Sequence, residues 1–255
     1  MSMYSIYFSP TGGTRRAAGM IAGEFADVIE LDLLDGKQSS RAWEFGADDV
    51  CLISVPSFGG RIPALAAEQI AGMKGNGARA VLTAVYGNRA YDDTLLELGD
   101  CVKESGFKVV AAIAAIAEHS IVHDFGTGRP DREDEAVLRS FARRVRDVLE
   151  QPEGQKEIEL PGNRPYREYH GVPFKPAAGE ACTRCGLCAK KCPVQAIPEA
   201  DPASIDQERC ISCMRCIAVC PHQARELPAP MVAGAKEKLK AFCTVRKENE
   251  LLLAR

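Results

Sequence analysis

The chain has 255 residues, of which 46% are hydrophobic and 26% charged, and its net charge is −3. These values predict a folded protein of one or two domains, exclude general disorder and argue against nucleic-acid binding. No apolar run approaches the ~18–20 residues of a membrane span, and residues 1–8 show no basic region or cleavage site of a secretory signal.

Residues 1–150 alternate between strand and helix patterns. Strands are predicted over 4–8, 27–33, 50–55, 78–85 and 108–116, and helices over 14–26, 63–73, 92–105 and 132–150. The 50–55 stretch is nearly all apolar, as a strand covered on both faces requires. Asp92 or Asp93 is the expected N-cap of the third helix. The pattern predicts a doubly wound, five-stranded parallel sheet with ligands bound at the carboxyl ends of the strands. Residues 151–176 hold five of the 15 prolines and read as an extended connector, either a free linker or a structured arm. A small α+β domain is expected over 177–227 and a helical tail over 228–255, with its helix over 231–246. Charge is uneven: 1–150 carries −6 and 228–255 carries +3, so the tail and the first domain attract one another weakly.

Eight of the eleven cysteines lie within 182–220. They form two copies of C-x2-C-x2-C-x3-C-P, offset by 28 residues throughout. Soft thiolates at this density select iron–sulfur clusters or zinc. A structural zinc site takes two separated C-x2-C knuckles, whereas this run matches that of bacterial two-cluster ferredoxins, where the fourth cysteine of each motif ligates the other cluster. That match assigns Cys182, Cys185, Cys188 and Cys220 to one [4Fe-4S] cluster, and Cys210, Cys213, Cys216 and Cys192 to a second. Arg184, Lys190, Lys191, Arg209 and Arg215 are candidate cations beside them, against the alternative of solvated surface charges. Cys51 and Cys101 read as packing residues. Cys243 has no assigned role.

The loop Ser9-Pro10-Thr11-Gly12-Gly13-Thr14 sits between a strand and a helix. It offers hydroxyls, glycines and the free N–H groups of a helix start, which suit a phosphate. It is neither a Walker A loop nor a dinucleotide fingerprint. Two further strand ends lead into Pro56-Ser57-Phe58-Gly59-Gly60-Arg61 and into Tyr86-Gly87-Asn88-Arg89, with Tyr91 and Asp92 just beyond. Glycine lets backbone approach a ligand, and Phe58 with Tyr86 or Tyr91 is suited to the faces of a flat ring. Three such loops on one sheet edge point to a flavin.

These residues resemble the flavodoxin family over about 1–150, with Gly13 where flavodoxins often have Asn. Residues 177–227 resemble bacterial two-cluster ferredoxins. The whole chain is similar to the flavodoxin–ferredoxin fusions called the EFR1 family, whose recurring segments look like Tyr86-Gly-Asn-Arg89, Glu118-His-Ser120 and Gly128-Arg-Pro-Asp131. The resemblance implies FMN, the strand order 2-1-3-4-5, two [4Fe-4S] clusters and electron transfer in the cytoplasm of an anaerobe. Arg61 and Arg89 depart from the acidic flavin loops of flavodoxins and predict a milder reductant.

The leading expectation is an electron carrier joining FMN, two clusters and an external redox partner. The alternative is an FMN-dependent reductase of a small substrate, with His119, Tyr91 or Ser120 as proton donor. A zinc-bound adaptor would require both cofactor signatures to be coincidences.

Overall fold

The computed structural model describes residues 2–35, 43–151 and 157–253. Pro152 of the connector and residues 254–255 of the tail lie outside the described residues. The first half runs β1 (Met3–Tyr7), α1 (Gly13–Ala22), β2 (Val28–Asp32), β3 (Val50–Pro56), α2 (Ala64–Ala71), β4 (Arg79–Tyr86), α3 (Thr94–Glu104), β5 (Lys108–Ile116) and α4 (Arg132–Leu149). The five strands are parallel in the order β2-β1-β3-β4-β5, which is the flavodoxin-like winding.

The sheet is apolar on both faces because each face is roofed by helices. Ile53 and Leu82 pack under Ala66 and Ile70 of α2 and Leu95 and Leu98 of α3. On the opposite face Leu52, Val81 and Ile113 meet Ala17 and Ile21 of α1 and Leu138 and Ala142 of α4. Helix α4 starts with a capping box: Asp131 accepts from the Glu133 and Asp134 N–H groups, and Asp134 accepts from the Asp131 N–H.

Asp93 is the N-cap residue of α3, but its carboxylate does not cap the helix. It accepts instead from the Asn163 N–H at 2.8 Å and the Arg167 N–H at 2.7 Å. The connector is therefore a structured arm. Ile158 and Leu160 enter the first core layer, and Arg164 and Tyr166 both bond to Asp100.

The cysteine-rich part holds β6 (Ala177–Ala178), α5 (Leu187–Lys190), α6 (Arg215–Ala218) and β7 (Arg225–Glu226), with β6 and β7 antiparallel. The internal duplication is visible in the backbone. Left-handed residues Arg184, Gly186 and Gln195 return 28 positions later as Ser212, Met214 and Gln223.

Helix α7 (Ala229–Cys243) occupies most of the helix expected in the tail, and β8 (Glu250–Leu253) was not expected. β8 joins the sheet as a sixth strand, antiparallel to β5, with Ala111 facing Leu253. Asn249 fixes this return: its Oδ1 accepts from the Ile116 N–H at 2.9 Å, and its Nδ2 donates to Asp134 at 2.9 Å. Arg129 closes the knot, donating to Asp134 in a buried pair and to the Lys247 carbonyl. The attraction between acidic front and basic tail is realised as Arg246–Asp131 at 2.7 Å and Lys236–Asp124 at 2.5 Å.

Candidate cofactor sites

The loop between β1 and α1 ends in a helix start whose N-cap residue, Gly12, makes no side-chain cap. Gly12 takes a left-handed φ of 92°, which turns the chain into the helix. The first-turn N–H groups of a helix lack partners within it. Here Ser9 Oγ accepts the Arg15 N–H at 2.9 Å. No acidic residue lies in the first turn of α1 to repel a phosphate. A Cβ on Gly13 would stand 3.1 Å from that of Ala117, so an Asn here would crowd the end of β5.

A cavity opens over this loop. It is lined by Pro10, Thr11, Gly13 and Thr14, by Pro56, Ser57 and Phe58, and by Tyr86, Gly87 and His119. Ser57, Phe58, Tyr86, Gly87, His119 and Ser120 continue into an adjoining, mostly apolar pocket of about 350 Å³. Ser57 is held there by a 2.8 Å bond from Thr94 Oγ1. Phe58 sits on a tight turn closed by paired bonds with Arg61, at 2.8 and 3.1 Å. Gly59 and Gly60 both have positive φ in that turn. A Cβ on Gly59 would lie 2.4 Å from the Tyr169 ring.

Four predicted loop residues are directed elsewhere. Arg61 grips Glu97 through two bonds of 2.6 and 2.7 Å, donates to the Arg167 carbonyl and lies over the Tyr166 ring. It lines neither cavity, so the expected pair of arginines beside the flavin reduces to Arg89, which lines the larger pocket and is itself paired with Asp92. Asp92 also binds Arg167. Asn88 is buried and donates to the Cys243 and Val245 carbonyls, which makes it an anchor for the tail. Tyr91 packs edge-on against Tyr86 and donates to Glu250 of β8.

The sequence pattern missed the far wall of the pocket. Tyr169, Val172, Pro173 and Phe174 of the arm and Ala235, Lys238 and Leu239 of α7 supply it. The prolines marked the arm without saying where it goes. Lys175 was also missed; it donates to the Cys210 carbonyl and to Ser212.

The eight cysteines of the two repeats fall into two groups. Cys182, Cys185, Cys188 and Cys220 line one small cavity together with Pro202 and Arg225. The Cys213 and Cys216 thiols each feel those of Cys192 and Cys210 electrostatically, which puts the other four side by side. Backbone N–H groups point at the sulfurs: Ala196 to Cys192 at 3.2 Å and, 28 residues on, Ala224 to Cys220 at 3.3 Å. Such bonds favour the more negative state of a thiolate-bound cluster. Among the described residues no three His, Cys, Asp or Glu side chains converge on one metal ion. A cubane spreads its four ligands over four irons, so it does not require such convergence. The two groups differ in position. Cys185 is exposed, whereas Cys213 lines the cavity over the phosphate-type loop. Arg215 reaches across to the Ser9 carbonyl at 3.5 Å.

Elsewhere, Cys51 is fully buried in β3 and Cys101 donates to the Ala67 carbonyl at 3.5 Å, both as packed thiols. Cys243, the last residue of α7, packs with Val122 and Phe125. No helix among the described residues is long and apolar enough to cross a membrane.

Residues 181–224 match the family described as 4Fe-4S dicluster domain. Among curated relatives, a component of an ion-translocating oxidoreductase complex from Methanosarcina acetivorans is 41% identical over 58 residues, 22% of each chain. The NrfC homolog of Haemophilus influenzae is 32% identical over 85 residues, 31% of this chain and 37% of that one. The chain thus spans about a fifth to a third of the length of these relatives. Among solved structures, a flavodoxin from the domain Archaea has a TM-score of 0.41 at 13% identity, covering 59% of this chain and all of that one. The Streptococcus pneumonia TIGR4 flavodoxin has a TM-score of 0.40 at 16% identity, covering 58% of this chain and 99% of its own. The chain therefore joins a flavodoxin-like α/β fold, carried by its own strand order, to a region similar to 4Fe-4S dicluster domains.

Proposed function

We propose that the chain is an electron-transfer flavo-iron–sulfur protein that passes electrons between an FMN, two [4Fe-4S] clusters and an external redox partner. One observation carries the reading. Cys213, a ligand in the second set, lines the same cavity as Thr11, Gly13 and Thr14 of the phosphate-type loop. That position makes the second cluster the relay beside the flavin. The exposure of Cys185 makes the first cluster the contact with the partner.

The chain's own residues would act as follows. Thr11, Thr14 and the N–H groups of their loop hold the phosphate. Phe58 and Tyr86 pack the flat ring, and the arm and α7 keep water from it. When bound, FMN exchanges electrons singly or in pairs and each cluster exchanges one, so the assembly converts between the two modes. A reductase of a small substrate is the weaker reading, since substrate and ring would have to share a pocket of about 350 Å³. Membership of the EFR1 fusions, and an anaerobic cytoplasm as the setting, belong to the same proposal and rest on the two-part architecture.

The test is composition. Protein purified without oxygen should hold about eight irons and one acid-released FMN per chain. Zinc with no flavin would contradict the reading.

A further inference from the structure

His119 follows β5 and lines both the loop cavity and the ring pocket. Its Nδ1 accepts two backbone N–H groups, from Ile121 at 3.2 Å and Val122 at 3.1 Å. A backbone N–H can only donate, so Nδ1 carries no proton. A neutral imidazole with a bare Nδ1 holds its proton on Nε2. Nε2 has no protein acceptor among the described residues, and it is not among the sealed polar atoms that lack a partner. The two Nδ1 bonds hold the ring, and Gly87 lets it approach closely: a Cβ there would lie 2.6 Å from His119 Cδ2.

We propose that His119 is a hydrogen-bond donor of fixed tautomer, its Nε2–H reserved for an acceptor atom of the flavin ring. The proposal rests on the FMN reading above. A neutral donor favours whichever state of the ring is more electron-rich, and hence reduced over oxidised FMN. It does so without the desolvation cost of a buried cation. The surroundings keep it neutral. Burial first, then the neighbouring His123 ring and Arg89 guanidinium, push the imidazole down to about 4. Glu118, the adjacent carboxylate, is engaged with the His123 ring and the Gly128 N–H.

The experiment uses the full chain, prepared without oxygen, and the variants His119→Phe and His119→Gln. FMN affinity is measured for oxidised and for reduced flavin. In His119→Phe the preference for reduced over oxidised FMN should fall roughly tenfold, the effect of one hydrogen bond to a charged acceptor, because reduced FMN loses more affinity than oxidised FMN does. His119→Gln, which keeps an N–H donor, should recover much of it. Equal weakening of both forms would place the donor on the phosphate and overturn the proposal, as would no change in either. Wild-type chain that takes up no FMN would overturn both this proposal and the FMN reading. A second readout does not depend on the Phe variant folding. With [15N]histidine in the oxidised wild type, the signal lost in His119→Gln should show the Nε2–H tautomer and move on FMN addition. A proton on Nδ1, an imidazolium, or a signal indifferent to FMN would overturn the assignment.

Discussion

The two cysteine repeats are near copies in sequence and occupy unlike surroundings. Their helices, left-handed turns and N–H···S bonds superimpose at a 28-residue offset. Yet Cys185 of the first is exposed, and its counterpart Cys213 in the second lines the cavity over the β1–α1 loop. A duplicated unit thus acquires two different surroundings once it is docked asymmetrically on another domain. The asymmetry comes from outside the repeat, from the arm before it and the tail after it.

The sharpest way to break this comparison is to remove one station at a time. Cys213→Ala and Cys185→Ala should each lower iron from about eight to about four per chain. Only the first should uncouple the flavin from the remaining cluster; the second should leave flavin and inner cluster in exchange and lose the external partner. Rapid-mixing reduction followed at flavin and cluster wavelengths distinguishes the two. Identical behaviour of both variants would erase the distinction between stations.

Next in size is the tie that brings the tail home. Arg129 and Asp134 form a pair exposed by only 3% and 1%. Arg129→Ala takes the buried partner from Asp134, leaving it the Asn249 amide and Arg246 at 3.5 Å, and should cost about 3 kcal/mol, read by denaturant unfolding. Because Arg129 also holds the Lys247 carbonyl, FMN affinity should fall with it as α7 loosens from the pocket.

A smaller effect is expected at the turn under the arm. Gly59→Ala drives a methyl to within 2.4 Å of the Tyr169 ring, at a φ of 59° that suits glycine. The expected loss is about 1–3 kcal/mol, with weaker FMN binding and unchanged iron content. Gly128→Ala, also at positive φ but with open space around it, should leave FMN binding unaltered and so separates backbone strain from the clash.

The mildest change is acidification. The Arg246 guanidinium and the N–H groups of the α4 cap hold the Asp131 carboxyl below its ordinary range. A group depressed on folding contributes stability above its unfolded value near 4 and loses it as pH falls through the folded one. The tail should therefore undock in acid and stay docked at neutral pH. Raised salt should weaken the Arg246–Asp131 pair too, since both side chains are more than a third exposed. Amide exchange in 250–253 followed against pH reads this directly.

The sheet was legible because its signal is local. Val50–Pro56 and Lys108–Ile116 are apolar runs of strand length, and periodic helices separate them. The dicluster region was legible because cysteine spacing alone marks it, and residues 181–224 match a 4Fe-4S dicluster family. The pocket wall was not, since Tyr169, Phe174 and Leu239 are ordinary residues until the arm and α7 place them. Nor was β8: four residues, Glu250–Leu253, carry no periodicity of their own and acquire strand form by pairing with β5. Loop chemistry misled where a side chain had a stronger local partner. Arg61 went to Glu97 and Asn88 to the tail carbonyls, neither of which the loop sequence discloses.

The most direct test is a crystal structure of the anaerobic, fully loaded chain with anomalous scattering at the iron edge. Two iron sites are expected, one on each cysteine set, with flat flavin density between Phe58 and Tyr86 and the Cys213 set the nearer of the two. Flavin density nearer the Cys185 set, zinc in place of iron, or iron on both sets with the cavity over Thr11–Thr14 empty of flavin would contradict it.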